Sequence, residues 1–100
     1  MVYNSTAAAN DVAEKIELIL RKNKLPEDIH WRAKQKLILI FSARNYNDLC
    51  QINGNHCKKL NGKLKTANSI RINGQWRIEF RWNTKENTVD ENSIKFTNDH

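Results

Sequence analysis

One hundred residues are enough for one domain with a small core, and the sequence is read as a single domain over residues 1–100. Lysine and arginine outnumber the acids to leave a net charge of +6 and a pI near 9.6, which favours nucleic acid or another acidic partner. No apolar run reaches the length of a membrane span, no basic segment followed by an apolar one opens the chain, and Cys50, Cys57 and three scattered histidines match no zinc template, so a soluble cytosolic protein with reduced thiols and no metal or cofactor is expected.

Residues 1–10 carry few structural instructions and fit either a short edge strand or a frayed arm. Asn4-Ser5-Thr6 spells a glycosylation sequon, discounted without a secretory signal. Asp11 with Glu14 three residues on resembles a capping box, and Val12, Ile16, Ile19 and Leu20 follow at helical spacing. That helix is expected to end near Arg21-Lys22-Asn23, where cations suit its dipole. Pro26 with Glu27 and Asp28 opens a second helix, whose core stripe is Ile29, Ala33, Leu37, Ile40 and Phe41 and whose end falls near Arg44. His30, Arg32 and Lys36 fall off the stripe, and the two helices read as an αα-hairpin.

Asn45 caps one further helical turn through Leu49, and Gln51 to Lys59 reads as a loop turning at Asn53-Gly54. Lys58, Lys59, Lys63 and Lys65 then lead into the most informative stretch, Ser69 to Trp82. Here Asn73-Gly74 joins two alternating runs, a hairpin signal because both residues tolerate positive φ. A two-residue loop puts arginine and serine among core residues. A three-residue loop, Asn73-Gly74-Gln75, instead pairs Ile72 with Trp76 and Ile70 with Ile78, giving one apolar face, with Gly74 available as a left-handed residue.

The three-residue register sets Arg71 across from Arg77, a repulsion of roughly 0.2–1 kcal/mol that a polyanion on that face would offset. Arg81 follows on the same face, and with Lys59, Lys63, Lys65 and Arg71 it makes up the expected nucleic-acid-contacting set. The competing account is a solvated outer face on which Glu79 partly neutralises the arginines. Beyond Trp82, residues 83–92 look too rich in turn-formers for strand; Ile94 and Phe96 alternate, and Val89, out of phase with them, belongs in a loop or beside a bulge.

Lys24-Leu25-Pro26-Glu27-Asp28-Ile29, Leu60-Asn61-Gly62, Ser69 through Ile78 and the final His100 together resemble the HigB toxins of the RelE superfamily, over roughly residues 24–100. The resemblance implies an α+β, RelE-like or microbial-ribonuclease-like fold: two N-terminal helices packed on a small, mostly antiparallel sheet with a concave basic face. It further implies a cytoplasmic, ribosome-dependent endoribonuclease that cuts messenger RNA without a metal, and a helix-turn-helix antitoxin of HigA type that neutralises it, operator DNA being reached only through their complex.

Such cleavage needs a base for the 2′-hydroxyl, an acid for the leaving 5′-oxygen and cations on the phosphorane. By the resemblance, Arg77 stabilises transition-state charge and His100 transfers a proton. The chain departs from the family pattern at Lys58, where many relatives carry histidine, at Asn61 for lysine, at Asn98 for an acid and at Asp99 for tyrosine. Lys58 and Asp99 complete the expected catalytic set, with His56 nearby as an alternative candidate for the missing histidine, outside that set.

Overall fold

The computed structural model describes residues 2–52, 54–59 and 67–98. Helices α1 (Val2–Asn23), α2 (Glu27–Ser42) and α3 (Tyr46–Gln51) precede strands β1 (Lys58–Lys59), β2 (Ala67–Arg71), β3 (Trp76–Asn83) and β4 (Thr88–Asn98). The strands form one antiparallel sheet in the order β1-β2-β3-β4. This is the α+β architecture expected, with helices packed on a small antiparallel sheet.

The N-terminal segment is neither strand nor frayed arm. Helix α1 runs through Asp11 without a break, so Asp11 caps nothing and instead pairs with Lys15 one turn on. Ala7-Ala8-Ala9 supply the best intrinsic helix formers just ahead of the apolar stripe, which carries the helix backward past the expected start. At its other end Asn23 Nδ2 donates to the Ile19 carbonyl, and Lys24 turns the chain with φ 46°. A side chain in that left-handed geometry is strained where glycine is not. Lys24→Gly is accordingly expected to stabilise the fold by about 0.5–1 kcal/mol, measured by urea denaturation.

Pro26 stands one residue ahead of α2, extended at φ −54° and ψ 141°, and the buried side chains are Ile29, Ala33, Leu37 and Ile40 as the spacing required. Phe41 packs at the margin of that core. Asn45 caps α3 by accepting from the Asp48 amide at 2.8 Å. The stretch from Gln51 to Lys59 is less of a loop than expected: Gln51 closes α3 and Lys58–Lys59 form β1.

Between helices and sheet lie Ile16 and Leu20 of α1, the α2 stripe, Leu49, and Ile70, Ile78, Phe80, Trp82 and Val89. Tyr46 tilts against both Phe80 and Trp82, with ring centroids 6.3 Å apart in each pair.

The hairpin adopts the three-residue register, with Ile70 opposite Ile78 and the Ile72 amide donating to the Trp76 carbonyl. Its turn chemistry differs from expectation, because neither Asn73 nor Gly74 takes positive φ. Instead Asn73 Oδ1 accepts from the amides of Gln75 and Trp76 at 2.8 and 2.7 Å, so the side chain closes the turn that a left-handed residue was expected to make.

Strand β4 starts earlier than expected, at Thr88. Its register against β3 slips between Glu79 and Arg81: Glu79 faces Lys95 whereas Arg81 faces Asp90. Ser93 Oγ fills the gap by accepting from the Arg81 amide and donating to the Asp90 carbonyl. Val89 therefore sits beside a bulge and is buried against Trp82.

The cysteines correct the expectation of free thiols. Chain reversal after α3 brings Cys50 and Cys57 to a Cα separation of 5.3 Å, and the two sulfurs are joined as a disulfide. A spacing of seven residues matches no redox or zinc template, which is why the pair was not visible in the sequence.

Candidate active site

The face of the sheet opposite the helices is built from two cross-strand rows. In one row Lys58 faces Ser69, Ser69 faces Glu79, and Glu79 faces Lys95. In the next, Arg71 faces Arg77 and Arg77 faces Thr97. Directly opposed residues of an antiparallel pair share a face, so alternation brings Arg71, Arg77 and Lys58 to one side while Trp76, Ile78 and Phe80 turn to the other.

Arg77 is half-buried and firmly held. Its Nε donates to Ser69 Oγ at 2.9 Å, and its Nη2 donates to the Ser69 carbonyl and to the carbonyl of His56. Arg71 Nε donates to the Asn73 carbonyl at 3.0 Å, fastening that side chain over the hairpin turn. Glu79 pairs with Lys95 at 3.5 Å rather than with either arginine, so the expected neutralisation of the arginine pair by Glu79 is replaced by a salt bridge one row away.

The loop that supplies the His56 carbonyl is itself anchored by a buried polar hub. Asn55 is fully buried; its Oδ1 accepts from Lys36 Nζ of α2, its Nδ2 donates to the Leu49 carbonyl of α3, and its own carbonyl accepts from the Arg71 amide at 2.6 Å. Burial of the Lys36 ammonium, helped by the nearby Arg32 charge, lowers its hold on the proton. Gly54 and His56, at φ 90° and 45°, give the loop the curvature that lets it run along the edge of β2 beyond β1.

Tyr46 registers the arginine electrostatically. Burial raises its phenol above the usual 10.0, and the Arg77 charge pulls in the opposite direction. Its contribution to stability is thus fully present below about pH 10 and is lost as pH rises through the higher folded-state value. In a spectrophotometric titration the signal absent from Tyr46→Phe should have its midpoint above pH 10, and Arg77→Gln should move that midpoint up again.

Of the residues expected in the site, Arg77, Arg71 and Lys58 are brought onto one face, and Lys59 contributes a backbone pairing to Asn68. Arg81 is exposed beside the bulge, opposite Asp90 and about 13 Å along the strand from Arg77, and does not join them. Lys63, Lys65, Asp99 and His100 lie outside the described residues, as does Asn61. Sequence reading passed over Ser69, the residue that orients Arg77, and the Asn55 hub; a serine inside a strand and an asparagine in a loop give no signal of these roles. Among the described residues no group of three His, Cys, Asp or Glu side chains could hold a metal ion.

The sequence model of a family described as RelE-like toxin of the type II toxin-antitoxin system HigB matches residues 14–95. The chain belongs to the HigB-like toxins. Membership makes it the toxin of a type II toxin-antitoxin system and implies an antitoxin as its partner. No curated protein matches the chain closely enough to be named beside it. No described helix of this HigB-like toxin is long and apolar enough to cross a membrane.

Proposed function

We propose that this HigB-like toxin is a cytoplasmic, ribosome-dependent endoribonuclease that cleaves messenger RNA and so halts translation, and that a helix-turn-helix antitoxin of HigA type restrains it. The observation that carries this reading is the pairing of Arg71 with Arg77 on a sheet face that also presents Lys58. Two arginines facing each other across a strand pair are unfavourable alone and favourable around a phosphate.

In the proposed reaction the 2′-oxygen loses its proton and attacks the adjacent phosphorus. The bond to the 5′-oxygen then breaks, leaving a 2′,3′-cyclic phosphate and a 5′-hydroxyl that gains a proton. Arg77 stabilises the extra negative charge of the phosphorane, held in position by Ser69 and the His56 carbonyl. His100 exchanges a proton with the substrate oxygens, Lys58 contacts the phosphate from the neighbouring row, and Asp99, in place of the family's tyrosine, adjoins His100. Lys59, Lys63, Lys65 and Arg71 are the further cations proposed to contact RNA phosphates, with Arg81 as an outlying contact. Cleavage of a defined message on purified ribosomes, with fragment ends mapped, tests the proposal: cyclic phosphate ends dependent on both ribosome and toxin support it.

A second reading has its own observation. The Arg77 Nε and Nη2 are already committed to protein acceptors, which suits a RelE-fold module that binds antitoxin or RNA without cutting. Intact message on toxin-bound ribosomes favours that module.

A further inference from the structure

On the α2 side of Arg71, a groove of about 630 Å³ opens between α2, the loop at residues 54–56 and the hairpin turn. Trp31, Arg32 and Lys36 line it from α2, His56 from the loop and Arg71 from the hairpin, and no carboxylate is among its lining residues. Trp31 is 68% exposed, whereas Trp82 is buried and Trp76 packs against the core. Leaving a full indole in water forgoes the burial that the other two tryptophans obtain. An aromatic platform flanked by cations is the combination that binds an unpaired nucleotide, the base stacking on the ring and the phosphate meeting the charges.

We infer that this groove is a single-stranded RNA subsite in which a base stacks on Trp31 while Arg32, Lys36 and Arg71 neutralise its phosphates. His56 links it to the cleavage site: the residue lines the groove and its carbonyl holds Arg77, so a strand engaged by Arg77 can continue around the edge of the sheet onto α2. The inference relies on the proposed function only for the choice of RNA as ligand, and binding can be measured apart from cleavage.

The full chain is titrated with a 2′-O-methylated hexanucleotide, which lacks the attacking hydroxyl and survives intact. RNA should quench the exposed component of tryptophan emission and shield it from acrylamide. Trp31→Ala should weaken binding about tenfold and Trp31→Phe should restore most of it. Arg32→Gln should reduce the slope of log affinity against log salt by about 0.7, the value for one phosphate contact on a single strand. Because Trp31 and Arg32 are exposed, these variants retain the core, which far-ultraviolet circular dichroism verifies.

Equal affinity of wild type and Trp31→Ala overturns the inference, as do unquenched emission, absence of measurable binding, or a Trp31→Ala defect confined to antitoxin binding. Trp31-dependent RNA binding without any cleavage on ribosomes sustains the subsite and removes the nuclease reading. Cleavage that is lost in Arg77→Ala while Trp31→Ala binds RNA normally does the reverse.

Discussion

Arg77→Ala should lower ribosome-dependent cleavage by about 10²–10³-fold, the range expected when a preorganised donor to developing oxyanion charge is removed. The size follows from how the side chain is held. Ser69 and the His56 carbonyl fix the guanidinium before substrate arrives, so little reorganisation remains to be done as charge builds on the phosphorane. Arg77→Lys retains a cation but cannot reproduce the fork that spans Ser69 Oγ and two carbonyls, and it should recover only a small part of the loss. Single-turnover rates on programmed ribosomes separate this chemical defect from weakened docking. An Arg77→Ala toxin that cuts at the wild-type rate would falsify the assignment.

Asn55→Ala should cost about 2–4 kcal/mol of folding stability, read from urea unfolding with the slope unchanged. The substitution removes two side-chain bonds at once, leaving the Leu49 carbonyl with only the 3.4 Å bond from the Ile52 amide and the Lys36 ammonium without its acceptor. Alanine fills less of a fully buried site and satisfies neither group. Because the same residue's backbone carries the Arg71 amide, the damage should reach the edge of β2, with faster amide exchange at Arg71 than at Ile78 of the central strand. Asn55→Asp restores an acceptor toward Lys36 but loses the donor to Leu49, and should fall between wild type and alanine.

Much of the frame was legible because it is encoded by period. The α2 stripe at steps of four, four and three marked its buried face, and strict alternation from Trp76 to Trp82 fixed the register that sets Arg71 against Arg77. The start of α1 was misread because a local acid at Asp11 was weighed above the helix-forming alanines before it. In the hairpin turn the residues were right and the mechanism wrong, since the Asn73 side chain does the work assigned to backbone freedom at Gly74.

The parts of the site that escaped notice are those assembled from distant segments. Lys36, Asn55 and Arg71 meet only after α2 and β2 have packed around α3, and the groove beside Trp31 is completed by His56 and Arg71, 25 and 40 positions further along the chain. No periodicity carries such information. Pairing of Cys50 with Cys57 likewise depends on the reversal after α3.

Strand β4 advances five residues while β3 advances two across the slip, an odd excess of three. Odd excess inverts parity, so an odd-numbered Val89 and even-numbered Ile94 and Phe96 all reach the hydrophobic layer. Insertions and deletions between Asp90 and Ser93 are consequently rationed by evenness: removing two residues keeps both halves of the strand right side out, whereas removing one turns Val89 toward water.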